Sequence, residues 1–410
     1  MRPRLPTSSP IFIIAAVCTA QVLAQLGAFT FFALLPTFFR EWGLSHSEAG
    51  ILNGIIFGAY AFAVPFIVPL TDRVDPRRIY ICAVGLTISS HLGMAFIADG
   101  FWDGLLYRTL AGIGWGGTYM VGLKALADLV EGPAQSRAVA FHAASIGLGG
   151  SLSFVLAGWV ADNVGWQSAF QLSAGGGFLA LLVMAFLVPG CKPAPMENRG
   201  GLSALIRAFK NKSAIAYSIG YCVHTWEMFT LRSWVVTFLV FTAAQGNGQP
   251  NFLIPTVVAM FMELTGTASS VIGNEVAIRV GRRRWIIMVM LVSMSTGAVV
   301  GFTAGAGYGV AATVCLIYNV LIYADSASLT AGAVGTAEPG RRGATLAVHG
   351  MLGYGGGFVG PLFLGLILDF LGGETVMNWG IAFAHVTVIM VIGPLAIKLL
   401  KPGELPGDLA

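Results

Sequence analysis

The chain has 410 residues, of which 56% are hydrophobic and only 10% are charged, against about 25% charged in ordinary soluble domains. A water-soluble globule of this size cannot bury so much apolar surface, and disorder requires the opposite composition. The net charge of +4 makes no basic surface for nucleic acid. Long apolar runs between short polar loops instead indicate a protein that crosses the membrane many times as helices, rather than as a β-barrel.

Twelve apolar stretches are long enough to cross a bilayer as helices, each of which needs about 20 residues. We number them as spans 1 to 12, with predicted bounds 11–36, 48–70, 79–98, 101–126, 137–161, 167–189, 213–241, 251–273, 285–304, 307–333, 343–370 and 376–398. Span 1 follows Arg2 and Arg4 as a signal peptide would, but it is longer than an ordinary signal-peptide core. The sequence therefore predicts an all-α polytopic membrane protein with twelve transmembrane helices.

The basic residues predict the orientation of the chain, because cytoplasmic loops are enriched in Lys and Arg. With the N-terminus in the cytoplasm, 20 of the 23 basic residues fall on the cytoplasmic side. Arg40 falls outside, while Arg108 and Arg232 fall within spans. An odd number of spans would scramble this separation, so we expect both termini to lie in the cytoplasm.

The longest interior break divides the spans six and six. It runs from Pro189 to Ser213, is basic and contains Pro and Gly. We therefore expect an N-terminal bundle over 1–190, a cytoplasmic linker over 191–212, and a C-terminal bundle with a short tail over 213–410. Within the linker, 202–209 is typical either of an amphipathic helix on the inner membrane surface or of a plain connection.

The two halves resemble each other in sequence at a nearly constant offset. A shift of 207 residues places His142 and Asp162 on His349 and Asp369, together with several glycines. A shift of 206 places the Arg cluster between spans 2 and 3 on the cluster between spans 8 and 9. Six spans separate the copies, so both have the same membrane orientation. Parallel repeats of six helices are typical of secondary transporters.

Three motifs resemble the major facilitator superfamily. Loop 2–3 reads PLTDRVDPRR over 69–78, which is similar to the family's G-x-x-x-D-R-x-G-R-R loop, with Val68 and Asp75 in place of its glycines. Span 4 carries R-x-x-x-G-x-G over 108–114, and the basic segment 279–284 repeats the first loop without its Asp. The resemblance covers essentially the whole chain. It implies two six-helix bundles related by a pseudo-twofold axis along the membrane normal, with the substrate site between them.

The same resemblance implies a cytoplasmic gate, since loop 2–3 has that role in family members. Asp72 would lie near the N-terminus of span 11, whose dipole favours an anion. Arg73 would pair with an acidic residue at the end of span 4, for which Asp128 is the candidate and Glu131 the reserve. The predicted gate residues are Asp72, Arg73, Arg77, Arg78 and Asp128. The alternative role of these charges is to set the membrane topology alone.

Charged residues inside spans are rare and costly, so they are the best indicators of function. Arg108 shares a face of span 4 with Trp115 and Tyr119 if the helix is continuous. That face would present one cation and two aromatic rings to a cavity, where Arg108 would bind an anionic group or influence a nearby proton site. The alternatives are a structural ion pair and a side chain that reaches toward the membrane surface.

Span 7 carries the leading candidate for a proton site. Glu227 falls near mid-depth by residue count, and His224 lies three residues earlier on the same face. A partly desolvated carboxylate can load and release a proton, and the histidine is a second titratable group. Arg232 lies on a different face, and Glu263 in span 8 would be its partner or a second proton site. The alternative is a set of buried pairs that hold spans 7 and 8 together.

Several further polar residues complete the candidate set. Gln21 and Gln25 are four residues apart in span 1 and would hydrogen-bond a solute or a neighbouring helix. Asp325 lies in the inner half of span 10 and would line the cytoplasmic exit. Isolated histidines are more often packing residues than ligands, and we interpret His91 and His385 in this way. His142 and His349 are related by the repeat and lie near the cytoplasmic ends of their spans, and we interpret them first as structural residues and second as gate residues.

Together these features favour secondary transport of a small organic solute by alternating access, coupled to H⁺. The sequence carries no nucleotide-binding or enzyme motif, and its five cysteines form no C-x-x-C pair, so we expect no enzyme activity, metal or cofactor. Export of lipophilic cations or drugs is one alternative, and a non-transporting sensor or scaffold on the same fold is another. We expect a monomer in contact with lipids of the plasma membrane, the inner membrane of a bacterium, and no nucleic-acid partner.

Overall fold

The regular structure of the chain is helical throughout the residues described by the computed structural model, which are 9–131, 133–191, 201–246, 253–338, 341–403, 405 and 408. The N-terminal half contains Pro10–Gln25, Thr30–Ala33 and Leu35–Trp42 (span 1), His46–Leu70 (span 2), Pro76–Phe96 (span 3), Phe101–Gly116 and Tyr119–Leu129 (span 4), Pro133–Val164 (span 5) and Trp166–Leu187 (span 6). A separate helix, Gly201–Lys210, lies in the predicted linker, of which residues 192–200 fall outside the described residues.

The C-terminal half repeats this order of helices. It contains Lys212–Ala244 (span 7), Pro255–Val280 (span 8), Arg282–Val300 followed by the 3₁₀ helix Gly301–Ala306 (span 9), Tyr308–Tyr323 and Ser326–Gly335 (span 10), Arg342–Phe370 (span 11), and Val376–Met390 and Ile392–Leu400 (span 12). The prediction of an all-α membrane protein with twelve spans in two bundles is confirmed. The division at residues 190 and 213 stays a prediction.

Spans 4 and 10 are broken at equivalent places, which the sequence analysis did not predict. Eleven helices of the described chain are long and apolar enough to cross a membrane, and span 4 is not among them. Span 4 is divided at Gly117 and Thr118. Span 10 is divided at Ala324 and Asp325. Thr118 and Asp325 are 207 residues apart. The repeat in sequence is therefore also a repeat in backbone shape.

The buried apolar side chains show how the two halves meet. Among the described residues they form three clusters, and the largest contains side chains of both halves, such as Phe57 of span 2 and Phe229 of span 7. The other two lie within one half each, around Tyr80 in the N-terminal half and Met290 in the C-terminal half. Their members come from the span ends that are predicted to face the cytoplasm. The halves thus share one core at the predicted outer end and have separate cores at the other.

Glycines allow the backbones of the two halves to approach closely at the shared core. Spans 2 and 11 make the most extensive contact between elements, and a Cβ at Gly54 would clash with the carbonyl oxygen of Phe358. Spans 5 and 8 make a second contact between the two halves, where a Cβ at Gly158 would clash with Thr256. At these positions only glycine leaves room for the facing helix.

Aromatic rings continue the contact toward the middle of the membrane. Phe57 of span 2 stacks on Phe229 of span 7 with 3.7 Å between ring centroids. Tyr60 of span 2 lies 4.0 Å from the ring of Tyr354 in span 11, and Trp115 of span 4 meets Tyr354 edge-on at 6.1 Å. Four of these rings belong to the shared core and Tyr354 packs against it, so the aromatic contacts close the space between the halves.

We expect Gly54→Ala to destabilise the protein by about 1 to 3 kcal/mol, the usual cost of overpacking. The added methyl group meets a backbone carbonyl, which cannot move away without moving span 11. Thermal unfolding of the purified protein in detergent measures the effect. Gly355→Ala is the matched control in span 11, because a Cβ at Gly355 has no neighbouring atom within 4 Å. Equal transition temperatures for the two variants would contradict the proposed role of Gly54 in packing.

Candidate functional site

A bidentate ion pair joins spans 7 and 8. Arg232 donates from Nε to Oε1 of Glu263 at 2.6 Å and from Nη2 to Oε2 at 2.9 Å, and both side chains are buried. The guanidinium carbon also lies 4.8 Å from the ring centroid of Phe29 in span 1. Of the two roles predicted for Glu263, the structure has it as the partner of Arg232. The pair belongs to the C-terminal half but contacts the N-terminal half through the aromatic ring.

Glu227 has a different environment, made of hydroxyl groups. Tyr318 in span 10 donates to Oε1 at 2.9 Å, and Ser293 in span 9 donates to Oε2 at 3.2 Å. The side chain is only 1% exposed. Arg232 bonds Glu263 instead, in agreement with its predicted place on a different face of span 7. Tyr318 and Ser293 were not expected as partners, because no sequence signal links these positions on three separate helices.

His224 faces Asp325 at the break in span 10. His224 Nδ1 and Asp325 Oδ1 are 2.9 Å apart, but the angles at these atoms do not fit a hydrogen bond. Both side chains are buried, and the charge of Asp325 is close enough to act on Glu227. The structure thus places Asp325 inside the C-terminal half, beside the residues proposed for proton coupling. Its predicted place along the cytoplasmic exit stays a prediction.

The remaining histidines of the candidate set mostly have packing partners. His349 stacks on Tyr221, with 4.1 Å between ring centroids, and its ring nitrogens lie 3.2 Å from the hydroxyl oxygens of Ser218 and Thr330. His385 Nε2 accepts a hydrogen bond from the indole of Trp226 at 3.0 Å. His142 also has a partner, because its Nε2 lies 2.9 Å from the carbonyl oxygen of Tyr119.

Arg108 is buried in the N-terminal half, and only some of the hydrogen-bond donors of its guanidinium group have partners. Its Nε donates to the carbonyl oxygen of Leu52 at 2.5 Å, while Nη2 has no hydrogen-bond partner among the described residues. The guanidinium carbon lies 4.5 Å and 5.0 Å from the ring centroids of Phe31 and Phe32. Aromatic faces attract a cation, so these rings stabilise the charge on one side and leave one nitrogen free.

The break in span 4 separates the three residues that were expected to share a face. Trp115 lines the same cavity as Arg108, whereas Tyr119 lies beyond the break and stacks on His142 with 5.3 Å between ring centroids. The two glutamines of span 1 also differ. Gln25 lines the cavity, whereas Oε1 of Gln21 accepts a hydrogen bond from Tyr80 at 3.3 Å. A sequence pattern based on a continuous helix could not distinguish these environments.

The described contacts of the predicted gate residues do not include the pair Arg73–Asp128. Lys124 donates to Asp128 within the second helix of span 4. Arg77 donates to the carbonyl oxygen of Ala185 at the end of span 6. Arg73 and Arg78 are exposed. The gate was predicted to form when the protein faces outward, whereas this structure is closed at the predicted outer end.

The closed end carries a contact that the sequence analysis missed. Asp369, at the end of span 11, accepts hydrogen bonds from the backbone nitrogens of His46 and Ser47 at 3.0 Å and 2.7 Å, at the start of span 2. The side chains of both residues also contact it, at 2.8 Å and 2.5 Å. A carboxylate at a helix N-terminus is favourable. The repeat partner Asp162 is exposed, so only one copy of this aspartate joins the two halves.

The described residues contain no cluster of three or more His, Cys, Asp or Glu side chains arranged to hold a metal ion.

Comparison with known proteins agrees with this architecture. The family model of the Major Facilitator Superfamily matches residues 17–331. The chain belongs to the major facilitator superfamily. It is 26% identical over 248 residues to protein spinster homolog 3 of Danio rerio, a match that covers 58% of this chain and 50% of that relative. The chain thus aligns with about half the length of this curated relative.

Three further similarities are to proteins whose names describe them as transporters or as a homologue of one. The chain is 24% identical over 295 residues to a probable 4-methylmuconolactone transporter of Cupriavidus pinatubonensis, covering 66% of this chain and 67% of the other. Its fold matches a crystal structure of a bacterial homologue of the human lysosomal transporter Spinster in an inward-facing, occupied conformation, with a TM-score of 0.74, 15% identity, and coverage of 96% and 97%. The nucleoside transporter NupG matches with a TM-score of 0.75, 13% identity, and coverage of 95% and 99%.

We expect Asp369→Ala to widen the predicted outer end of this superfamily member, because the start of span 2 loses its carboxylate acceptor. Spin labels at Arg40→Cys and Met377→Cys, in a background without other cysteines, report the distance between the halves by double electron–electron resonance. The variant should add a population with a longer distance. Asp162→Ala, at the exposed repeat position, should leave the distribution unchanged. An unaltered distribution in Asp369→Ala would show that this contact does not hold the end closed.

The Arg232–Glu263 pair predicts a strongly non-additive pair of substitutions. Glu263→Gln leaves a buried guanidinium without its counter-charge, which typically costs about 3 to 5 kcal/mol. The double variant Arg232→Met, Glu263→Met removes both charges and should be less destabilised than the single one. Thermal unfolding in detergent measures both. Glu275→Gln is the control in span 8, because its ion pair with Arg279 is largely exposed. A double variant as unstable as the single one would refute the coupling.

Proposed function

We propose that this protein is a secondary active transporter that moves a small organic solute by alternating access and couples that movement to H⁺. The observation that carries the proton coupling is the pair of hydroxyl groups around the buried carboxyl of Glu227. The class of solute is supported by two similar proteins, one named a probable 4-methylmuconolactone transporter and one named a nucleoside transporter.

Hydroxyl partners suit a carboxyl group that changes its protonation state. A hydroxyl group can donate a hydrogen bond and can also accept one. Tyr318 and Ser293 can therefore donate to ionised Glu227 and, after rotation, accept from the protonated form. The guanidinium of Arg232 beside Glu263 can only donate hydrogen bonds and cannot accept one from a protonated carboxyl group. Glu227 is thus the better proton carrier of the two, while Glu263 has a structural role.

Asp325 and His224 would assist this exchange. His224 lies three residues before Glu227 in span 7 and faces Asp325, and Asp325 is the N-cap residue of the second helix in span 10. A shift at the break in that span would change the distance between the two carboxyl groups, and with it the preference of Glu227 for a proton. Proton loading would in this way depend on the conformation of the C-terminal half.

Alternating access is supported by the distribution of the apolar cores. The halves share one core at the predicted outer end and have separate cores at the predicted cytoplasmic end. Rocking of one half against the other would open the predicted outer end and close the predicted cytoplasmic end. In the outward-facing state we propose that Asp72 and Arg73, with Arg77, Arg78 and Asp128, form the cytoplasmic gate.

The remaining properties follow from the same function. The similar proteins are transporters, and we propose that this chain likewise has no catalytic activity. We also propose that it acts as a monomer in the plasma membrane, surrounded by lipid, with both termini in the cytoplasm. The orientation rests on the distribution of its basic residues.

We expect Glu227→Gln to abolish accumulation of solute against its gradient in proteoliposomes with an imposed pH difference. The amide mimics the protonated carboxyl group and cannot release a proton, so exchange of solute at equilibrium should continue. Glu227→Asp retains a titratable group and should keep part of the accumulation. The probe solutes are 4-methylmuconolactone and uridine, tested as radiolabelled compounds.

The control for this experiment is Glu275→Gln, which removes an exposed carboxylate from the same half. It should accumulate solute as the unmodified protein does. Uphill accumulation by Glu227→Gln with an unchanged pH dependence would disprove the proton role of Glu227. Absence of solute-dependent proton movement in the unmodified protein with both probes would count against the assigned solute class.

A further inference from the structure

A small cavity lies inside the N-terminal half, enclosed by residues of spans 1, 2, 3, 4 and 6. Its volume is about 20 Å³, enough for about one water molecule or a group of similar size. Much of its wall is apolar, with Ile56, Met94 and Phe170 among the lining residues. The cavity is therefore small and lies inside the bundle, with apolar and polar side chains in its wall.

Four of the residues that line this cavity carry buried polar atoms without a hydrogen-bond partner in the described protein. The unpartnered atoms are Arg108 Nη2, Gln25 Nε2, Trp115 Nε1 and both ring nitrogens of His91. These side chains are 4%, 2%, 7% and 4% exposed. They come from three different spans, and buried polar groups are normally satisfied. Their convergence on one cavity is the observation that needs an explanation.

The other polar residues of the wall do not share this property. The hydroxyl groups of Thr87, Ser90 and Thr118 donate to backbone carbonyl oxygens at 3.2 Å, 2.6 Å and 3.0 Å. They are satisfied within their own helices or by a neighbouring one. The unsatisfied groups are therefore confined to the four nitrogen-bearing side chains.

The chemistry of these four side chains is that of hydrogen-bond donors. The free nitrogens of Arg108, Gln25 and Trp115 can only donate, and a neutral imidazole supplies one more N–H. Arg108 also adds a positive charge that the rings of Phe31 and Phe32 contact from one side. The described lining contains no Asp or Glu to balance it. Several donors and an unbalanced cation around a small space match an acceptor that carries a negative charge.

We propose that Gln25, His91, Arg108 and Trp115 form an anion-binding site in the N-terminal half, which takes a single carboxylate group or an inorganic anion of similar size. The carboxylate would be the acidic end of the solute, and in that form the inference rests on the proposed function. A free anion such as chloride would instead be a bound ion that neutralises Arg108. The recognition chemistry is the same in both cases, because the donors converge on one compact negative charge.

The experiment measures binding without transport, so its result is independent of proton coupling at Glu227. Purified full-length protein in detergent is titrated with sodium formate, sodium chloride and sodium benzoate, with ionic strength held constant by sodium isethionate. Thermal unfolding reports binding, because a ligand that binds only the folded state raises the transition temperature. We expect a saturable rise with formate or chloride. Benzoate should act and compete with formate only if the site takes the carboxylate of a larger solute.

Conservative variants distinguish this site from a nonspecific salt effect. Trp115→Phe and Gln25→Leu each remove one donor of the cavity and should raise the half-saturating formate concentration at least about tenfold, the effect of losing one hydrogen bond to a charged group. Arg108→Gln should abolish the rise. Trp379→Phe is the matched control, because the indole nitrogen of Trp379 is also buried and unpartnered but lies in span 12, outside the cavity.

The outcomes are distinct. An unchanged half-saturating concentration in Trp115→Phe and Gln25→Leu would overturn the proposal, as would an equal change in Trp379→Phe. The absence of any saturable rise with formate, chloride and benzoate would mean that the cavity holds only water. If Arg108→Gln fails to fold, the two conservative variants still decide the matter. If the unmodified protein binds formate or chloride saturably and Trp115→Phe still transports solute as the unmodified protein does, the site belongs to a free ion rather than to the solute.

Discussion

Lipid offers no hydrogen bonds, so every charged side chain inside the spans needs compensation from the protein itself. This chain meets the requirement in three ways. Arg232 and Glu263 neutralise each other in a bidentate pair. Glu227 is held by hydroxyl groups. Arg108 is held by two aromatic rings and one carbonyl oxygen. These three environments differ in how easily the side chain within them can gain or lose a proton, and the proposed roles of the residues follow from that difference.

The close approach of the two halves depends on small residues at the contact and on hydrogen-bond partners for the polar groups that it buries. Glycines at the shared core bring backbone carbonyls of one half against helices of the other. The carboxylate of Asp369 compensates the free N–H groups at the start of span 2. The proposed alternating access requires such a contact to break in each cycle, and a few hydrogen bonds and interlocked glycines suit this better than a large irreversible interface. The exposed Asp162 shows that the repeat is not used symmetrically in this state.

Much of the site could be anticipated from single residues, but their partners could not. The sequence singled out Arg108, Glu227 and Glu263 because a charge within an apolar run is conspicuous whatever it contacts. His91 was interpreted as a packing residue, since an isolated histidine carries no pattern, and its place beside Arg108 appears only when spans 3 and 4 are packed. The bond from Tyr318 to Glu227 leaves no pattern in the sequence, because it depends on the rotation of two helices.

The sequence by itself determined the fold class, the number and order of the spans and the repeat of the halves. These properties depend on composition, run length and offset, which are local or periodic and need no knowledge of packing. Only the tertiary structure decided which end is closed, where spans 4 and 10 are broken and which charges are paired. The break that turns Tyr119 away from Arg108 is an example. Such contacts depend on the rotation and distance of neighbouring helices, and a one-dimensional pattern does not contain those quantities.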